Sequence, residues 1–160
     1  MGAAMRIMVT GGAGYIGSHA VQRLLRDGHT VVALDNLENG HRASLKRIEA
    51  SLDAGDRGRL TFVEADIANR TRVEAALRDH EVEAVMHFAA LAYVGESVTD
   101  PLTYHQNNTG GAVALLQACE AAGIERFIFS STCATYGEPE KTPIAEDTPQ
   151  SPVNPYGWSK

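Results

Sequence analysis

Short apolar runs alternate with longer amphipathic stretches along this 160-residue chain. The runs are apolar at consecutive positions, which is typical of strands buried on both faces of a parallel sheet. The stretches between them repeat apolar residues every three or four positions, as helices do. The pattern predicts five strands, over residues 5–10, 30–35, 60–65, 84–89 and 126–131.

Residues that start and stop helices fit between those strands. Gly28 is suited to end the first helix, because glycine adopts the left-handed conformation of a C′ residue without strain. A second helix is predicted over residues 42–52. Thr71 and Glu74 have the spacing of a capping box, which predicts a third helix that runs to about Asp79.

The second half of the chain carries one long helix and the start of another. Asp100 and Pro101 suit the N-cap and N1 positions of a helix that Gly123 ends. A proline-rich loop then leads to a helix that starts at about Tyr156. Strands that each precede a helix, joined by right-handed crossovers, predict a Rossmann-type doubly wound α/β domain over residues 1–160, with strand order 3-2-1-4-5.

The glycine-rich segment from Gly11 to Gly17 joins the first strand to the first helix, at the sheet edge where such folds bind ligands. Gly11 permits a tight turn, Gly14 lets the backbone approach a pyrophosphate, and Gly17 lets the helix pack close to the sheet. The start of the helix, with Tyr15 and Ile16, supplies free N–H groups and a positive dipole end. The segment therefore predicts a dinucleotide site, with a plain tight turn as the alternative.

Asp35, at the end of the second strand, favours NAD over NADP. A carboxylate there accepts hydrogen bonds from the adenine ribose and repels a 2′-phosphate. Asn36 and Leu37 follow it, and no arginine directly succeeds it. Asp66 and Ile67, after the third strand, could close over the adenine, although Asp66 could instead be an ordinary helix cap.

The composition narrows the class of partner. A net charge of −6 argues against nucleic acids and anionic membrane surfaces. The two cysteines, Cys119 and Cys133, form no framework, so we expect both to be reduced and buried. The sequence has no metal-ligand motif and no apolar run of the ~20 residues that span a bilayer. We interpret residues 1–4 as a leader and expect a soluble cytoplasmic domain.

Tyr156 and Lys160 stand at positions i and i+4 of the last predicted helix, on one face. A free tyrosine ionises near pH ~10, and a base at neutral pH needs a pKa ~3 units lower, or ~4 kcal/mol of differential stabilisation. A lysine ammonium and the positive ring of NAD⁺ are a plausible source. Considered alone, this pair could also be an unremarkable surface feature.

Several further stretches form a specific set of motifs. They are Gly11 to His19, Leu34 to Leu37, His87 to Ala90, Val94 to Ser97, Asn107-Asn108, Ser130 to Gly137, Asn154 to Gly157, and Ser159-Lys160. With these stretches the chain resembles the extended short-chain dehydrogenase/reductases. Within that superfamily it is most similar to the UDP-glucose 4-epimerases and their UDP-arabinose and UDP-xylose relatives.

The resemblance implies NAD-dependent epimerisation at C4 of a UDP-sugar. Tyr156 would take the proton of the sugar 4-hydroxyl, Thr132 would share it, and NAD⁺ would take the hydride from C4. Lys160 would hold the nicotinamide ribose and depress the Tyr156 pKa. The 4-keto sugar would then turn over and receive the hydride on its other face. The implied cofactor lining comprises Phe88, Ala89, Ala90 and Asn107.

Departures from the family pattern leave other functions open. Ala92 stands where many epimerases have a lysine. Dehydratases carry an Asp-Glu pair directly after the threonine of strand 5, where this chain has Cys133 and Ala134, so dehydration is disfavoured. A decarboxylase, a reductase and a non-catalytic NAD-binding module remain alternatives.

The family has a second half that carries most of the nucleotide-sugar site, and the 160 residues do not include it. We therefore expect this chain alone to be inactive and to bind NAD weakly. The full-length family members form homodimers through the helix after strand 4 and the helix that carries the tyrosine, so a homodimer is implied for the full protein. The choice of UDP-sugar stays open.

Overall fold

The computed structural model describes residues 3–53 and 55–160. The interpretation of residues 1–4 as a leader therefore lies partly outside the described residues. The chain divides into two compact units, one that runs to Ala89 and includes Ala114–Ser130, and one made of Ala90–Val113 and Ser131–Lys160.

The first unit contains a five-stranded parallel sheet with the order β3-β2-β1-β4-β5, as predicted. The sheet forms because its strands are rich in apolar residues that bury side chains on both faces. The strands are β1 (Arg6–Thr10), β2 (Thr30–Asp35), β3 (Leu60–Glu64), β4 (Ala84–His87) and β5 (Arg126–Phe129).

Three strands end earlier than predicted, β3 by one residue, at Glu64, and β4 and β5 by two residues each. β4 ends at His87 instead of residue 89, and β5 ends at Phe129 instead of residue 131. Thr10, His87 and Phe129 pair in one row across the sheet. After this row the chain leaves β1 at Gly11, so β4 can no longer pair with β1. β5, which pairs with β4, ends at the same row.

The side chains of the central strands alternate between two apolar clusters, one on each face of the sheet. Met8 and Val32 point into one cluster with helix α3 (Arg70–Asp79). Val9 and Val31 point into the other, with helices α1 (Tyr15–Arg26) and α2 (Arg42–Ala50). β5 is less covered, with Ile128 56% exposed. The consecutive apolar positions therefore predicted burial on both faces correctly for the centre of the sheet and not for this strand.

Helices of the first unit follow the predicted order. They are α1 (Tyr15–Arg26), α2 (Arg42–Ala50), α3 (Arg70–Asp79) and the part of α6 (Gly111–Ala122) that begins at Ala114. Gly28 and Gly123 have φ of +92° and +74°, as expected of residues that end helices. The capping box at Thr71 was wrong, because the Asn69 side chain caps α3 by accepting a hydrogen bond from the Arg72 N–H.

The second unit is built from short helical segments. Asp100 and Pro101 are the N-cap and N1 residues of α5, as predicted. The segments are α4 (Val94–Thr99), α5 (Pro101–Tyr104), a π-helical segment (His105–Gly110), a 3₁₀ turn (Cys133–Tyr136) and α7 (Pro155–Ser159). The sequence pattern did not predict α4, the π-helical geometry or the 3₁₀ turn.

Two kinds of feature are absent from the described part of the chain. No helix there has the length and apolar character needed to cross a membrane. No group of three or more His, Cys, Asp or Glu side chains in residues 3–53 and 55–160 is arranged to hold a metal ion.

Candidate functional site

The glycine-rich turn lies at the carboxyl end of β1, as predicted. Gly11 has a φ of +67°, which only glycine adopts readily. A Cβ on Gly11 would lie 2.7 Å from the backbone nitrogen of Ala89. The turn therefore lies directly against the segment that follows β4, and it brings together the Gly11 and Phe88–Ala89 segments that the sequence placed at one site.

The helix that follows the turn starts without a side-chain cap. Gly14 is the N-cap of α1, and its N–H donates to the Gly11 carbonyl at 3.0 Å. The side chains of Tyr15 and Ile16 are exposed, so their predicted contribution is that of backbone N–H groups. A Cβ on Gly17 would overlap the Gly11 carbonyl oxygen, so the missing side chain lets the first turn of α1 lie directly against the turn at the end of β1.

Asp35 is buried and bonds to the backbone on two sides. Its Oδ2 accepts a hydrogen bond of 2.9 Å from the Ala13 N–H, and its Oδ1 accepts one of 2.8 Å from the Leu37 N–H. A Cβ on Gly40 would lie 2.6 Å from Oδ1. The carboxylate therefore links the turn to the loop after β2, a structural role that the sequence analysis did not foresee.

Asn36 and Asp66 meet across the ends of β2 and β3. The Asn36 Nδ2 donates to the Asp66 Oδ2 at 2.9 Å, and the Asp66 Oδ1 accepts from the Ala68 N–H at 2.7 Å. Asp66 does not cap α3, so the alternative of an ordinary helix cap was wrong. Ile67 is buried in the core cluster that includes α3.

A buried polar pair lies beneath the turn and was missed at the sequence level. The Thr10 Oγ1 and the His87 Nδ1 are 2.7 Å apart, and both side chains are buried. The pair joins the last residues of β1 and β4, and Phe88 and Ala89 follow it directly. Polar residues at the ends of two apolar runs were the signal that could have identified it.

In the second unit, the turn that follows Thr132 contacts the helix that carries Tyr156. The Thr132 Oγ1 accepts a hydrogen bond of 3.2 Å from the Ala134 N–H. A Cβ on Gly157 would lie 2.6 Å from the Ala134 carbonyl oxygen, so α7 packs on this turn through the bare backbone of Gly157. Two of the three predicted catalytic residues therefore stand on elements in direct contact.

Tyr156 and Lys160 are both half-buried. The Tyr156 N–H donates to the Ser97 Oγ at 3.1 Å, and its ring stands edge-on to that of Tyr104. Burial lowers the pKa of Lys160 below its usual value. The Ser131 Oγ donates to the carbonyl oxygen of Lys160 at 3.5 Å, the limit for such a bond.

Ala90 and Asn107 lie in the second unit, where Asn107 is bonded to its neighbour. The Asn107 Nδ2 donates to the Asn108 Oδ1 at 2.9 Å. Asn108 is buried, and its side chain bonds to both backbone groups of Leu91, the residue after Ala90, and to the Ser159 Oγ. Asn108 was not predicted as a site residue, although the consecutive asparagines were noted.

One of the two cysteines differs from the expectation that both are buried. Cys119 is buried, and burial raises its pKa to about 11. Cys133 is exposed, since it stands on the turn after Thr132 and not in the core. Cys133 and Thr132 belong to the wall of an open cavity of about 470 Å³.

Comparison with known proteins adds to this geometry. Residues 7–160 match the model of a family described as the NAD dependent epimerase/dehydratase family. The chain is 47% identical over 154 residues to UDP-arabinose 4-epimerase 1 of Arabidopsis thaliana, which covers 96% of this chain and 36% of the relative. It is 47% identical over 156 residues to the UDP-glucose 4-epimerase of Bacillus subtilis, covering 98% of this chain and 45% of the relative.

A solved structure is similar over the same range. The UDP-glucose 4-epimerase of Stenotrophomonas maltophila, with bound NAD and formylated UDP-arabinopyranose, superimposes with a TM-score of 0.91 at 43% identity. The match covers 98% of this chain and 45% of that chain. This chain thus spans less than half the length of these relatives.

Proposed function

Because the chain belongs to the NAD dependent epimerase/dehydratase family, we propose that it supplies the cofactor-binding and proton-transferring part of a UDP-sugar 4-epimerase. The observation that carries the proposal is the packing of the Tyr156 helix on the turn after Thr132, at Gly157. That packing fixes a tyrosine and a hydroxyl on adjoining backbone segments. The relatives named above act on UDP-glucose or UDP-arabinose according to their names.

The first unit fits NAD. The uncapped start of α1 offers N–H groups to a pyrophosphate, and a Cβ on Gly14 would meet only the Gly11 carbonyl oxygen within 4 Å. Each Asp35 oxygen accepts one backbone N–H and keeps a second lone pair for a ribose hydroxyl. The linked Asn36 and Asp66 would border the adenine. The chemistry that bound NAD would supply is oxidation of C4 of the sugar by removal of a hydride, followed by return of that hydride.

The second unit supplies the proton chemistry. Tyr156 would accept the proton of the sugar 4-hydroxyl, and Thr132 would pass it through its own hydroxyl. A phenolate is needed for this step, and a nearby ammonium stabilises one. Lys160 would supply that ammonium, and since burial disfavours its charge, an adjacent phenolate would in turn favour it.

The residues after Thr132 support epimerisation over dehydration. Elimination from the sugar needs an acid and a base to move the C5 proton and expel the C6 oxygen. Cys133 and Ala134 occupy those positions, and neither side chain can act as a carboxylic acid. We therefore propose that the carbon skeleton and all oxygens of the sugar are retained.

We also propose that the full protein is a cytoplasmic homodimer that serves UDP-glucose and UDP-galactose interconversion in galactose metabolism. The exposed apolar side chains of Val98 on α4 and Leu102 on α5 support a protein partner on these helices. Light scattering of the purified full protein measures its mass, and a monomer would contradict the dimer.

The function is tested by incubating the full protein with separate UDP-sugars and identifying the products by NMR. UDP-glucose, UDP-galactose, UDP-xylose, UDP-arabinose and UDP-N-acetylglucosamine cover hexoses, pentoses and an N-acetylated sugar. We expect C4 epimers from at least one of them, and no product from Tyr156→Phe. Loss of water would indicate a dehydratase, whereas NAD binding without any product would indicate a binding module.

A further inference from the structure

Ser97, which is distant from α7 in sequence, accepts a hydrogen bond from the first turn of α7. A helix start leaves N–H groups without partners in the helix. Pro155 has no N–H, and the Gly157 N–H donates to the Asn154 Oδ1 at 2.8 Å. The remaining N–H, that of Tyr156, donates to the Ser97 Oγ at 3.1 Å. Ser97 thus holds the backbone of Tyr156 where the N-cap residue does not reach.

The Ser97 side chain is itself held. It is fully buried, and its hydroxyl donates to the Val94 carbonyl at 2.7 Å. This bond orients a lone pair of the oxygen toward Tyr156. The position of the Tyr156 backbone therefore depends on the position of α4.

Tyr104 holds the ring of Tyr156 and anchors α4 at the same time. It is the largest fully buried side chain in the described residues. Its ring is 6.4 Å from that of Tyr156 at 85°, a favourable edge-to-face contact. Its hydroxyl donates to the Glu96 carboxylate at 2.7 Å and accepts from the Tyr93 N–H at 3.0 Å. The first of these is a short, charge-assisted bond.

We propose that Glu96, Ser97 and Tyr104 form a support that positions Tyr156 for proton transfer, an inference that rests on the function proposed above. Ser97 fixes the backbone of Tyr156, Tyr104 fixes its ring, and Glu96 fixes Tyr104. None of the three has to touch the sugar. They are positioning residues, and Tyr156 remains the group that moves the proton.

The two neighbouring phenols are kept chemically distinct. Burial, followed by the bond to Glu96, raises the pKa of Tyr104 to about 12. Tyr104 therefore stays protonated and keeps its bond to Glu96 over the pH range in which a tyrosine base would work. Besides Tyr156 itself, the titratable groups at the end of α7 and on the elements packed against it are Glu96, Tyr104, His105, Cys133, Tyr136 and Lys160.

The support is tested without turnover by NMR of the chain labelled with ¹³C at the tyrosine ζ carbon. The chain has five tyrosines, so each signal is assigned by a Tyr→Phe variant. We expect the Tyr156 signal to titrate at higher pH in Tyr104→Phe and in Ser97→Ala, by on the order of one pH unit, because a less fixed phenol is less well stabilised by Lys160. Glu96→Gln, which keeps an acceptor, should give a smaller shift.

Tyr93→Phe is the matched control. It removes the same hydroxyl from a ring that is 66% exposed and leaves the backbone N–H that Tyr104 uses. We expect its Tyr156 titration to equal that of the wild type. If Tyr104→Phe does not fold, as judged by the dispersion of its NMR spectrum, Ser97→Ala and Glu96→Gln decide the question.

A kinetic measurement on the full protein separates positioning from mere stability. We expect kcat in Tyr104→Phe and Ser97→Ala to fall by about tenfold and the acidic limb of the pH–rate profile to move to higher pH, with KM for the sugar within about twofold. A Tyr156 titration and a pH–rate profile unchanged in both variants would overturn the support. If the wild type turns over no UDP-sugar, the proposed function fails while the NMR titration still decides the support.

Discussion

The carboxylate of Asp35 accepts a hydrogen bond of 2.9 Å from the backbone N–H of Ala13. The bond joins the end of β2 to the glycine-rich turn after β1. Asp35 would therefore act twice, as the acceptor for a ribose and as a tie that shapes the turn. A substitution of Asp35 is therefore expected to change both the ribose contact and the shape of the turn.

Asp35→Arg should weaken NAD binding and shift the preference toward NADP without creating tight NADP binding. The variant removes the repulsion of a 2′-phosphate, but it also removes an acceptor whose loss costs about 1.5–3 kcal/mol, or roughly 10- to 150-fold in affinity. Asp35→Asn keeps one acceptor oxygen, so its affinity for NAD should lie between that of the wild type and that of Asp35→Arg. Calorimetric titration with NAD and NADP measures both constants, and an unchanged ratio would contradict the ribose contact.

Gly11→Ala should destabilise the chain and abolish NAD binding. A left-handed alanine costs roughly 1–2 kcal/mol, and the overlap of its Cβ with the Ala89 backbone adds roughly 1–3 kcal/mol. Urea unfolding measures the free-energy difference. Gly58→Ala is the control, because its Cβ would meet no atom within 4 Å. Equal unfolding midpoints for the two variants would show that the turn tolerates a side chain.

Lys160→Met should stabilise the fold at neutral pH while removing the proposed activity. Burial lowers the pKa of Lys160 below 10.5, so the folded chain binds this proton less tightly than the unfolded chain. The cost of the buried charge is present in full below the lowered pKa, shrinks as the pH rises toward 10.5, and vanishes above it. The stability gained by Lys160→Met should therefore disappear over that window.

Urea unfolding of the wild type and of Lys160→Met from neutral pH to above 10.5 follows this difference. Lys141→Met removes an exposed lysine and should show no such dependence. A Lys160→Met variant less stable than the wild type at neutral pH would be the wrong sign for a buried charge.

Iodoacetamide should modify Cys133 and spare Cys119 in the folded chain. Cys133 is exposed, whereas Cys119 is buried with a pKa of about 11, so about one molecule in a thousand carries its thiolate at pH ~8. Mass spectrometry should find one label per native chain and two in urea. Cys133→Ser should take no label when folded, and a native label on Cys119 would show that the core opens there.

The sheet could be predicted because its strands carry their own signal. Strand β2 begins and ends where the apolar run does, and its residues from Val31 to Asp35 are all buried. The end of β4 could not be placed, because it depends on where the neighbouring β1 turns away at Gly11. Asn69 caps α3 in place of Thr71, since an asparagine just upstream competes for the same free N–H groups.

The positions of candidate site residues could be predicted where the local geometry accepts few residue types. The glycine turn belongs to this class, whereas Asp35, which was predicted only as a ribose acceptor, also bonds to the backbone of the turn and of the loop after β2. Ser97, Tyr104 and Asn108 do not belong to this class, because their partners lie far away in sequence and their residue types are common. The π-helical segment likewise has no local pattern, and Asn108 within it bonds to Leu91 and Ser159.

The bond between Ser97 and the Tyr156 N–H spans 59 positions of the chain. The first turn of a helix is its least favourable step, because it fixes several backbone angles for one hydrogen bond. The first turn of α7 therefore waits for the closure of a long loop, which slows its formation. We therefore expect the backbone of Tyr156 to become ordered only once α4 is in place.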